Sequence, residues 1–104
     1  IKQSNVSFSK KNVFRGFHFQ KYPFIQEKII RVLKGKILDI LISIDKNSKN
    51  YLYTYYYDLS DTNKHILYVP KNYAHGFLVL SKTATIEYFV TNYFNTLSIF
   101  NCSN

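Results

Sequence analysis

Five side chains stand where an apolar core is expected. His18, Lys28, Asp39, His75 and Tyr88 lie within strand-like apolar stretches or at their ends, and Arg15 and Gln20 flank His18 in VFRGFHFQ (13–20). An imidazole, with an ordinary pKa near ~6.5, exchanges protons at neutral pH. A guanidinium offers a planar fork to phosphate or carboxylate. Each residue also has an ordinary structural reading. A lone histidine among aromatics is more often a hydrogen-bonded core residue. Lys28 could be solvated at a strand start, Asp39 could face water from an edge strand, and Tyr88 could be one more core residue among 10 tyrosines.

Metal chemistry is the first alternative to test. Small barrels often hold a metal through two histidines, a carboxylate and a further histidine. Gln20 stands where the second histidine is wanted, and an amide is a poor transition-metal ligand. Glu27 and His75 are the remaining candidate ligands, and the expectation is no metal and no organic cofactor. The sequence has no Gly-rich phosphate loop and no local signature of a Ser–His–Asp triad.

These groups must be positioned by strands. Turn signals recur at LKGK (33–36), DKNSKN (45–50), SDTNK (60–64), VPKNYAHG (69–76) and SKTA (81–84). Between them the sequence predicts strands near 12–20, 28–34, 36–45, 51–58, 65–69, 76–81 and 84–93, with no sustained helical period. Many short strands at even spacing predict a sandwich or barrel. RVLKGKILDI reads as a tight hairpin around Gly35. Alternation assigns Leu38, Ile40, Ile42 and Ile44 to the core face of one strand. In the last strand, Ala84, Ile86, Tyr88 and Val90 share a face. Arg15 and His18 have opposite parity, and a bulge near Gly16 would bring both to one pocket.

Composition sets the outer bounds. The 104 residues suit one domain, and 46% hydrophobic with 18% aromatic content supports a real core. The net charge of +8 comes from lysines scattered along the chain, without the clustering of a nucleic-acid footprint. Cys102 is the only cysteine, so no intrachain disulfide is available and a reducing, cytoplasmic setting fits. ILDILISI (37–44) is too short and too polar to span a membrane, and no secretory signal pattern is visible. Partners are therefore expected to include neither nucleic acid nor membrane. No methionine occurs and residue 1 is isoleucine, so the chain reads as a portion of something longer.

NVSFSKKNVFRGFHFQ, PFIQEKIIRVLKGKILDILISID, VPKNYAHGFLVLS and EYFVTNYF form an ordered series. Together they closely resemble the dTDP-4-dehydrorhamnose 3,5-epimerases, a family of cupin-like jelly rolls. The family pattern has R-G-hydrophobic-H-F-Q, a lysine in Q-x-K before a V-x-G hairpin, an A-H-G-F, and a tyrosine in the following strand. The resemblance covers about residues 1–95 and implies an all-β jelly-roll domain over 1–104, truncated at both ends, with 95–104 as an off-pattern tail.

The resemblance also implies roles. The substrate is a nucleotide sugar with a ketone at carbon 4, which acidifies the hydrogens on carbons 3 and 5. His18 matches the base and Tyr88 the proton donor, while Lys28 matches the cation beside the developing oxyanion. Gln3 and Asn5 match a segment contacting the nucleotide sugar, and Arg15 matches the diphosphate-binding arginine. His75 matches a second active-site histidine, with Asp39 orienting it and Gln20 supporting the site. Phe94 stands where the family has a tyrosine stacking on thymine, keeping the π face without the hydroxyl. A homodimer is implied. The aspartate that orients the family's base falls past residue 104, and NTLSIFNCSN (95–104) departs from the pattern. Two other readings share the barrel: an isomerase of a different keto-sugar nucleotide, and a non-catalytic nucleotide-sugar binder.

Overall fold

The structure, a computed structural model, describes residues 3–18 and 27–90, with side chains from residue 5 onward. Eight strands follow one another: β1 (Gln3–Lys10), β2 (Phe14–His18), β3 (Lys28–Lys34), β4 (Lys36–Ser43), β5 (Thr54–Ser60), β6 (Ile66–Val69), β7 (Tyr73–Val79) and β8 (Thr83–Val90). They form two antiparallel four-stranded sheets, ordered β1-β8-β3-β6 and β2-β7-β4-β5. Only β4 and β5 are sequential neighbours in one sheet; every other connection crosses between sheets. That all-β, crossing topology is a cupin-like jelly roll, as the resemblance implied.

The core lies between the sheets. Ile30, Val32, Ala84 and Ile86 meet Ile37, Leu41, Leu59, Phe77 and Val79, all nearly or fully buried. Burying one such side chain contributes about 1.5–3 kcal/mol, so this block holds the sandwich together. Branched and aromatic residues dominate the strands, and the two glycines that break them do so with a purpose.

Gly35 is one of these, and here the hairpin expectation is overturned. β3 and β4 belong to different sheets, so Gly35 is a corner from one layer to the other. Its φ is +96°, and a Cβ there would lie 2.3 Å from the Thr83 carbonyl oxygen. The Asp61 carboxylate accepts the Gly35 N–H, and Ser81 Oγ accepts the Lys36 N–H. The LKGK signal was right about a turn; it carried no information on whether the flanking strands pair.

β4 also corrects the sequence reading. Ile37, Asp39, Leu41 and Ser43 point inward and are buried, whereas Leu38, Ile40 and Ile42 lie half-buried on the outer face. Both faces are rich in aliphatics, so hydropathy favoured the face without Asp39 and Ser43. In β8 the expected face, Ala84, Ile86, Tyr88 and Val90, does point inward, pairing with Val32, Ile30 and Lys28 of β3. Two further differences concern β1 and β7. β1 had no counterpart, and β7 opens at Tyr73, placing His75 in a strand rather than a turn.

Candidate active site

His18 and His75 are direct partners across β2 and β7. His75 is 6% exposed and points inward, so His18 does too. The register slips between Arg15 and His18: Arg15 pairs with Phe77 and His18 with His75, two residues of β7 against three steps of β2. This is the bulge expected near Gly16, and it turns both side chains to the inner side. Gly16 allows it, with φ +142° and a Cβ position only 2.7 Å from the Gly76 Cα.

Asp39 sits two residues beyond Ile37 on the inner face of β4 and is fully buried. Its two oxygens lie 2.8 and 2.9 Å from His75 Nε2. A carboxylate stripped of water needs such a partner. Burial pushes the Asp39 carboxyl above its ordinary value, and the hydrogen bond and charge of His75 pull against that, as does the more distant Lys28. The close approach of Nε2 to both carboxylate oxygens fixes the imidazole plane. Asp39 and His75, 36 residues apart in sequence, are thus brought into contact, as the expected pairing of the two requires.

The opposite sheet supplies the other groups. Tyr88 on β8 and Lys28 on β3 share the inner face, with Lys28 Nζ 5.8 Å from the centre of the Tyr88 ring. That contact holds the ammonium over an aromatic face. Asn5 on β1 pairs directly with Tyr88, and the backbone of Gln3 pairs with Val90. The charge of Lys28 also reaches His18. The His18 pKa is lowered from the ordinary 6.5, first by burial, then by Lys28 and by His75. Nδ1 of His18 is buried without a hydrogen-bond partner among the described residues.

Thus His18, His75 and Asp39 from one sheet and Lys28, Tyr88 and Asn5 from the other open onto the same inter-sheet space. An imidazole kept neutral, a phenol, and a cation over the phenol ring can move a proton and oppose a developing negative charge. Arg15, at the sheet edge, donates through Nε to Ser9 Oγ at 3.1 Å. Gln20 and Phe94 lie outside the described residues. Among the described residues no three of His, Cys, Asp and Glu converge on a cation site. Glu27, one sequence candidate for a ligand, instead accepts a hydrogen bond from the Tyr68 hydroxyl.

Sequence reasoning missed Ser9. Its signal was present in QSNVSFSK, where Asn5, Ser7 and Ser9 alternate with Val6 and Phe8. The polar set faces inward and the apolar set faces out, with Val6 60% and Phe8 59% exposed. An inverted strand of this kind marks a polar interior.

Comparison with known proteins places the sequence and the fold. Residues 1–100 match the family model of dTDP-4-dehydrorhamnose 3,5-epimerase. The dTDP-4-dehydrorhamnose 3,5-epimerase of Escherichia coli K12 is 43% identical over 93 residues, covering 89% of this chain and 50% of that protein. The crystal structure of the Bacillus anthracis enzyme with TDP and PPi bound superposes with a TM-score of 0.86 at 38% identity, covering 92% of this chain and 55% of that one. The Legionella pneumophila epimerase in complex with dTDP-4-keto-L-rhamnose gives a TM-score of 0.83 at 38% identity, covering 89% and 49%. The chain spans about half the length of the curated relatives it matches. With a shared fold and a family match over nearly its whole length, the chain belongs to the dTDP-4-dehydrorhamnose 3,5-epimerase family.

Proposed function

We propose that the protein epimerises carbons 3 and 5 of a dTDP-4-keto-6-deoxy sugar, in the biosynthesis of dTDP-L-rhamnose-type sugars for polysaccharides. The observation that carries this reading is the opposition of His18 and Tyr88 on facing sheets, with Lys28 against the phenol ring. His18, neutral at pH 7 because its pKa is lowered, takes the proton from the carbon beside the ketone. The electron pair moves onto the carbonyl oxygen, where Lys28 opposes the enolate charge; losing one such donor typically costs ~10²–10³ in rate. Tyr88 returns a proton to the opposite face, inverting the centre. His75, braced by Asp39, presents its other ring nitrogen to the sugar.

Gln3, Asn5 and Arg15 hold the nucleotide diphosphate, and Phe94 stacks on the base, with Gln20 supporting His18. The TDP and PPi carried by the Bacillus anthracis relative support an anion site of this kind. Residues 1–104 act as one domain, with 95–104 outside the family pattern. The setting is cytoplasmic and the partner a second copy of the chain. Exposed Val6, Phe8, Phe14, Phe17 and Ile66 on the outer faces support a covered surface in the assembly.

The test is solvent exchange. The full-length protein, incubated with dTDP-4-keto-6-deoxyglucose in heavy water, is expected to place deuterium at carbons 3 and 5. Label at carbon 3 alone would indicate an isomerase of related type, and label at neither a binding protein.

A further inference from the structure

We propose that Ser9 is a positioning residue that pre-orders Arg15, so that the guanidinium meets the substrate diphosphate end-on through Nη1 and Nη2. The inference rests on the reading of Arg15 as a diphosphate ligand and goes beyond it. Ser9 is 2% exposed and pairs with Ala84, itself 1% exposed, so its hydroxyl points into the sandwich. A buried hydroxyl is unfavourable unless it is bonded. Its partner is Arg15 Nε, at 3.1 Å.

The geometry of the guanidinium gives this bond a consequence. Arginine can fork an anion either along the Nε/Nη side or at the Nη1/Nη2 end. With Nε engaged by Ser9, the side fork is half used and the end fork remains. β1 and β2 are the edge strands of their respective sheets, and the bond joins them at one margin of the sandwich. Three steps along β2 is His18, on the inner side by virtue of the bulge. The tether thus aims an end-on cation from the margin beside the reacting centre. An untethered arginine loses rotamer freedom when it binds; a tethered one has lost it beforehand.

The experiment titrates the full-length protein with dTDP, inorganic pyrophosphate and thymidine by calorimetry. Ser9→Ala is expected to weaken dTDP and pyrophosphate roughly tenfold, the scale of one hydrogen bond to a charged group, and to leave thymidine unchanged. Ser9→Thr, which keeps the hydroxyl, is expected to recover binding to within about threefold of the parent. In turnover the loss falls on KM rather than kcat. Ser9→Ala added to Arg15→Ala is expected to cost nothing further, since the two act as one unit. Unchanged dTDP affinity in Ser9→Ala, alongside a large loss in Arg15→Ala, overturns the positioning role and leaves the diphosphate assignment standing. Equal weakening of thymidine also overturns it, because the serine is then merely structural. Full dTDP affinity in Arg15→Ala overturns the diphosphate assignment and this inference with it.

Discussion

The two ends of the inter-sheet space are built from the same strands and do opposite things. At one end, Val32, Ile37, Val79, Ala84 and Ile86 close the sandwich, and the Gly35 corner is tied to Asp61 and Ser81. At the other end the same four strands β3, β4, β7 and β8 carry Lys28, Asp39, His75 and Tyr88. One strand therefore changes from packing to chemistry within two or three residues, as β4 does between Ile37 and Asp39. Tight packing fixes the strand axes, and fixed axes allow polar groups to be held apart from water without collapsing onto one another.

Mutations can separate the halves. The largest effect is expected from His18→Ala. Removing a positioned base costs ~10²–10⁴ in rate, and deuterium exchange at both carbons should fall accordingly, while unfolding stability stays within about 1 kcal/mol of the parent. Exchange at the parental rate would remove His18 from the role of base.

Lys28→Met is expected to lower turnover by ~10²–10³. It also tests the electrostatics. A base must be neutral to act, and a lowered pKa keeps His18 neutral to lower pH, so the acid limb of activity should lie below pH 6.5. Removing the Lys28 charge relieves one of the causes of that lowering, so the His18 imidazole should titrate at higher pH in the variant. Imidazole proton NMR reads this directly; an unshifted or lower titration would break the link between the sheets.

Ile37→Ala addresses the closed end. It is expected to cost about 2–5 kcal/mol in denaturant unfolding, the usual range for a buried large-to-small change. The acid limb of the folded fraction should not move. A shifted limb would show that the two ends are not separable.

The legible part of the molecule was the part with one-sided patterning. β8 alternates cleanly, and its inward face followed from sequence. The Gly16 bulge was legible because a glycine inside a strand has few other uses. β4 was misread because aliphatics occupy both faces, and the inward one is the face that accepts Asp39 and Ser43. The Gly35 turn was seen but its partners were not, since pairing between sheets is a tertiary outcome. The proximity of Asp39 to His75, or of Lys28 to Tyr88, has no local signal at all. The expected roles came from resemblance, and Ser9 escaped because it belongs to no motif residue by residue.

The inverted face of β1 has a consequence for folding. A strand's register is ordinarily enforced by the penalty of turning its apolar side to water. In β1 that penalty runs the other way: a slip of one residue would bury Val6 and Phe8 and expel Asn5 and Ser9. The native alignment is instead held by its ladder to β8, by the Lys11 N–H bonded to the Lys82 carbonyl, and by the Ser9–Arg15 bond. β1 is thus a locally frustrated edge, held in register by its bonds to other strands rather than by its own side-chain pattern.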